Sequence, residues 1–108
     1  DGTEDEAYLH ALETALQTIT ARFEPDMAFY LAGADPFAED RFGRLGLSKQ
    51  GLEERDHRIF SWCQSHQVPL AITMSGGYAA SINDIIDIHV ATVEAAVHKH
   101  QFERRNYE

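Results

Sequence analysis

A chain of 108 residues with 18 acidic and 9 basic side chains, net charge −9, has room for one domain with one modest core. At 44% hydrophobic and 10% aromatic it is not compositionally disordered. No apolar run approaches the ~20 residues of a membrane span, and the acidic balance argues against nucleic acid or anionic lipid as partner.

Asp5 to Phe23 reads as an amphipathic helix, because Tyr8, Leu12, Ala15, Leu16, Ile19 and Phe23 recur at three- and four-residue spacing. Glu4, Asp5 and Glu6 crowd its start, where the helix dipole favours negative charge, and Pro25 stops it. Met27 to Gly33 is a short continuous apolar run, the pattern of a parallel strand covered on both faces. A loop rich in Pro, Asp, Gly and Arg follows from Ala34 to about Leu47, and its length favours a functional role. Ser48 is placed to cap a second helix that runs to about His66, with Leu52, Ile59, Phe60 and Cys63 facing inward. Gly51 in its first turn weakens that start by about 1 kcal/mol relative to alanine. Pro69 to Ser75 repeats the buried-strand pattern, with Pro69 at its entrance. Gly76-Gly77 breaks the strand. A third helix carries Ile82, Ile85, Ile86, His89, Val90, Val93 and Val97 on an apolar stripe, and the charged tail Gln101 to Glu108 is expected to fray.

The order helix–strand–helix–strand–helix implies an α/β fold with parallel pairing and a right-handed crossover. Two strands leave two open edges and form only part of a three-layer αβα sheet. The sheet is expected to be completed by further sequence or by self-association. Cys63 alone excludes an intrachain disulfide and a Cys-based zinc cluster. It reads as a buried helical thiol, and the composition fits a reducing, cytoplasmic compartment. A start at Asp1, with neither Met nor a signal-peptide pattern, predicts a piece of something longer.

In an open parallel sheet, ligands bind just beyond the carboxyl ends of the strands. Gly33-Ala34-Asp35-Pro36 follows the first strand and Ser75-Gly76-Gly77-Tyr78 the second. If the strands are adjacent, Asp35 and Tyr78 leave the same rim. A strand-end carboxylate can bind a metal or act as a base. A phenol is a neutral donor suited to steadying a developing oxyanion. Glycines admit close backbone approach and positive φ. Each feature alone is also an ordinary turn: Asp before Pro is a common turn former, and Gly-Gly-Tyr can be a bend with an exposed ring.

Ala32 to Pro36, then Glu39 to Ser48 (Glu-Asp-Arg-Phe-Gly-Arg-Leu-Gly-Leu-Ser), then Gly51-Leu52 with Arg55-Asp56, then Ser75 to Tyr78, together resemble the C-terminal part of the histone deacetylase family. The form is similar to class IV deacetylases and their bacterial relatives, and the likeness runs from about Asp1 to Ala96. The resemblance implies a zinc-dependent amidohydrolase on the arginase–deacetylase fold, acting on acetyl-lysine or a related acetylated amine. It implies Asp35 as one of three zinc ligands and Tyr78 as donor to the substrate carbonyl and the tetrahedral intermediate. Gly76 and Gly77 would shape the floor of the acyl-lysine channel, while Asp40 and Arg44 would order the loop. The family's other zinc ligands and its general-base histidines lie upstream and are absent here. Zinc is therefore expected in a full-length parent, not in the isolated segment, which should be inactive.

Other pairs carry less. Asp87-Ile88-His89 spells Asp-x-His, but residues two apart on a helix point to different faces, and His89 reads as a satisfied core histidine. His98 and His100 read as surface residues, Asp56-His57 as a solvated pair, and Trp62 as packing between elements. Arg104-Arg105 is too short for a nucleic-acid patch. Two alternatives to the deacetylase segment stand: a non-enzymatic oligomer descended from one, binding a small ligand or a protein, and an unrelated small α/β binding module.

Overall fold

A computed structural model describes residues 2–40, 43, 45–79 and 81–107, with side chains up to residue 100. The chain forms α1 (Asp5–Arg22), β1 (Ala28–Gly33), α2 (Lys49–Ser65), β2 (Leu70–Ser75) and α3 (Ile82–Tyr107), in the expected order. The strands pair in parallel, in register from Ala28 opposite Leu70 to Gly33 opposite Ser75. Both therefore end at one rim, and both following turns start there.

The start of α2 explains its unfavourable glycine. The Ser48 hydroxyl accepts from the Gly51 amide at 2.9 Å, as an N-cap should. Asp5, in the first turn of α1, accepts from the Ser48 amide at 2.8 Å and from the Ser48 hydroxyl. A β-carbon on Gly51 would overlap the Asp5 carboxylate. The local cost of glycine is thus offset by a contact between two helix starts. Farther along, the Trp62 indole donates to Thr20 Oγ1 at 3.0 Å and stacks on the His66 ring, so Trp62 packs between α1 and α2 as expected.

Three sequence expectations need correction. The strand faces are not both covered: Phe29 and Leu31 are 69% and 66% exposed, whereas Tyr30, on the opposite face, meets the Phe60 ring edge-on at 5.9 Å. Among the described residues, α2 and α3 both join the Tyr30 face. A continuous apolar run hides such an asymmetry, because alternation is what reports it. The stripe of α3 is also two stripes. Ile88, Thr92 and Ala95 are buried and Ile85 partly so, while Ile82, Ile86, Val90, Val93 and Val97 face outward. A helix with neighbours on one side can bury only that side. Finally, the segment expected to fray continues α3 to Tyr107; the side chains of Arg104 and Arg105, and Glu108, lie outside the described residues.

The core lies beneath the rim. Ala34, Phe37, Leu47, Leu52, Ala79 and Ile88 form one buried cluster, joining both strand-end turns to α2 and α3. The 34–47 loop is pinned across itself, Leu47 N–H donating to Pro36 O at 3.0 Å and Ala38 N–H to Leu47 O at 2.9 Å. It is pinned to the chain start as well, Gly46 N–H donating to Thr3 O at 2.6 Å. Among the described residues no helix is long and apolar enough to cross a membrane.

Candidate active site

Asp35 stands two residues beyond β1, exposed at the rim. A β-carbon built on Gly33 or on Gly76 would overlap its carboxylate, so the two glycines form a cradle that only their missing side chains leave open. Gly76 has φ +64° and Gly77 φ +126°, conformations that glycine adopts at little cost. A β-carbon on Gly77 would lie 3.1 Å from Ile85 Cγ2 and 3.6 Å from His89 Nε2, so this turn is seated directly on α3.

Tyr78 follows, its side chain 55% exposed. Its amide donates to Asp40 Oδ2 at 2.6 Å, and Asp40 Oδ1 accepts from the Gly43 amide at 2.8 Å. Asp40 also bridges antiparallel to Ala79. This buried carboxylate joins the loop after β1 to the turn after β2, in keeping with its expected loop-ordering role. Arg44, paired with it in that expectation, lies outside the described residues. The rim thus carries Asp35 in its glycine cradle and Tyr78 on a turn tied to the same loop.

Behind the rim is a polar network that corrects the reading of Asp56 as solvated. Asp56 is 1% exposed and Arg55 3%. Asp56 Oδ1 accepts from Arg55 Nε at 3.1 Å, from Arg55 Nη2 at 3.0 Å and from the Tyr30 hydroxyl; Oδ2 accepts from Thr92 Oγ1 at 2.5 Å. Arg55 Nη1 donates to Gly33 O at 2.8 Å. Burial pushes the Tyr30 phenol well above the ordinary tyrosine range; the Arg55 cation opposes that shift, and Asp56 adds to it by accepting the proton and by its charge. The signal was present in the sequence: Leu52, Asp56, Phe60 and Cys63 share one helical stripe.

The other histidines and the thiol divide. His89 was expected to be satisfied, yet its Nδ1 is buried with no partner among the described residues. The other ring nitrogen, Nε2, lies beside the Gly77 turn. Asp87 instead reaches outward to Lys49 Nζ at 2.9 Å, so Asp87 and His89 point apart as predicted. His98 and His100 are exposed, and His57 lies 3.9 Å from Glu53 on the surface of α2. Cys63 is buried, as expected, and burial pushes its thiol up. A groove of about 530 Å³ beside Cys63, Val68, Leu70 and Ala96 opens at the far end of β2, away from Asp35 and Tyr78.

Among the described residues no group of three or more His, Cys, Asp or Glu converges on a point that could hold a metal ion. Asp35 fits as one carboxylate ligand of a larger set: it is exposed at the rim, and its place is kept clear by the two glycines. The remaining ligands of such a set would have to come from outside these residues.

The fold is thus a partial α/β unit whose two parallel strands bring Asp35 and the Tyr78 turn to one rim. The histone deacetylase domain matches residues 1–93. The chain is 34% identical over 96 residues to an uncharacterized protein of Picosynechococcus sp., covering 89% of this chain and 32% of that protein. It is 34% identical over 85 residues to histone deacetylase 2 of Arabidopsis thaliana, covering 79% of this chain and 22% of that protein. The chain therefore belongs to the histone deacetylase family, and it spans a third or less of the length of these curated relatives.

Proposed function

We propose that this chain is the C-terminal part of a zinc-dependent deacetylase that hydrolyses acetyl-lysine or a related acetylated amine. The observation that carries the reading is the shared rim, where parallel strands in register bring the Asp35 carboxylate and the Tyr78 turn to one edge of the sheet. Asp35 would be one of the ligands that hold the metal. When bound, zinc supplies a Lewis acid and an activated water near neutral pH. The Tyr78 hydroxyl donates to the carbonyl oxygen as it gains charge, and Asp40, through the Tyr78 amide, keeps that hydroxyl at its station. Gly76 and Gly77 would shape the floor of the acyl-lysine channel, the space of their missing side chains being taken by the Asp35 carboxylate and by α3. The departing amine is cationic, and a protein of net charge −9 does not repel it. A buried lone thiol agrees with a reducing, cytoplasmic setting.

In a complete deacetylase domain carrying this segment, Tyr78→Phe is expected to lower kcat roughly 100- to 1,000-fold, the usual effect of losing one oxyanion donor, with thermal stability little changed. Asp35→Asn is expected to lower both activity and zinc content. Full activity in both variants refutes the assignment.

A second reading concerns the chain by itself. Among the described residues, two open strand edges, a bare face carrying Phe29 and Leu31 and the outer stripe of α3 are an unusual load of apolar surface. Supplied alone, the 108-residue chain is expected to self-associate and, with no group of three or more metal-ligating side chains among the described residues, to bind no stoichiometric zinc. Sedimentation velocity that finds only monomer across a wide concentration range contradicts the first expectation; tight one-to-one zinc binding by calorimetry contradicts the second.

A further inference from the structure

Arg55 and Asp56 pose a question that stability does not answer. Burying an ion pair gains little over packing two apolar side chains of similar volume, and often nothing. Here the pair is nonetheless enclosed, completed by Tyr30 on β1 and Thr92 on α3, with the Arg55 guanidinium 5.5 Å from the Tyr30 ring centroid. Asp56 takes two of the guanidinium's contacts, and its oxygens are otherwise filled by the two hydroxyls. The remaining contact leaves the network and ends on the carbonyl of Gly33, the last residue of β1. Gly33 is also one wall of the cradle around the Asp35 carboxylate.

We propose that Arg55 is a positioning residue for Asp35. Held rigid by Asp56, its fork fixes the Gly33 peptide, and through it the direction in which Ala34 and Asp35 leave the sheet. An apolar pair would fill the same space but could not donate to that carbonyl. The proposal rests on the reading of Asp35 as a metal ligand, and it adds a device that orients the ligand from behind.

The test uses a complete domain carrying this segment. Arg55→Met/Asp56→Asn removes both charges together, so neither is left buried alone; Asn can accept from Tyr30 through its oxygen and donate through its amide to Thr92 Oγ1, whose hydroxyl keeps Ile88 O as acceptor. Arg55→Lys keeps the charge without the fork. Hydrogen exchange of residues 33–37 is measured on the metal-free protein, where the Phe37 amide donates to Ala34 O and reports the turn. Zinc affinity is measured by chelator competition, and kcat and KM separately. The double variant is expected to fold, to exchange about tenfold faster at 33–37, and to lose about 10- to 100-fold in zinc affinity, with kcat falling more than KM changes. Arg55→Lys is expected to fall between it and the unmodified domain. If the double variant does not fold, Arg55→Lys carries the same comparison. Unchanged exchange at 33–37 together with unchanged zinc affinity overturns the proposal. An Asp35→Asn control that keeps full zinc affinity, while the Arg55 variants still loosen 33–37, refutes the ligand reading and leaves the hold of Arg55 on the strand end standing.

Discussion

Asp56→Ala is expected to lower the unfolding free energy by about 3–5 kcal/mol, read as a fall in the urea midpoint at unchanged slope. The arithmetic follows from what is left behind. Arg55 would remain charged at 3% exposure with its counter-ion gone, and the Tyr30 and Thr92 hydroxyls would lose their acceptor. Breaking one partner of a buried pair costs far more than the pair contributes over an apolar replacement. A domain with roughly 5–15 kcal/mol in total cannot absorb such a loss lightly. A cost under about 1 kcal/mol, the range of exposed pairs, would show that water reaches the network and that its apparent burial has little energetic consequence.

Gly76→Ala is expected to damage the site more than the fold. At φ +64° an alanine is strained by about 1–3 kcal/mol, and its methyl group would in addition overlap the Asp35 carboxylate. Gly2, at φ +69°, has nothing within 4 Å of a β-carbon, so Gly2→Ala carries similar backbone strain without the collision. In a complete domain the Gly76 variant is expected to lose at least about 100-fold in kcat, the usual penalty for displacing a reacting group by about 1 Å. The Gly2 variant is expected to keep its activity. Equal activity in the two variants would mean that the glycine cradle does not set the position of Asp35.

Element order, strand limits and the shared rim were legible because each has a local cause. Proline and glycine punctuate the chain, apolar runs between them are too short for helices, and alternation of strand with helix leaves parallel pairing as the solution. What escaped depends on partners distant in sequence. Asp56 looked solvated because charge is normally a surface signal, although its spacing from Leu52, Phe60 and Cys63 placed it on the inner stripe. Gly51 looked like a flaw until Asp5 arrived from another helix to fill its space. In α3 the apolar residues are so many that one periodicity covered two faces, and only the neighbours decide which is buried. Of the site, Asp35 and Tyr78 were readable from their place after each strand, whereas the link from Arg55 to Gly33 joins residues 22 apart and leaves no local mark.

The contact of Thr3 and Asp5 with Gly46 and Ser48 has a consequence for the order of assembly. Asp5 and Ser48 are 43 residues apart, and the strand partners Ala28 and Leu70 are 42 apart, so loop-closure entropy sets no precedence between this clasp and the sheet. Neither the sheet nor the clasp is a local structure on which the other can wait, so the region bearing the chemistry shares the long-range closure of the whole unit.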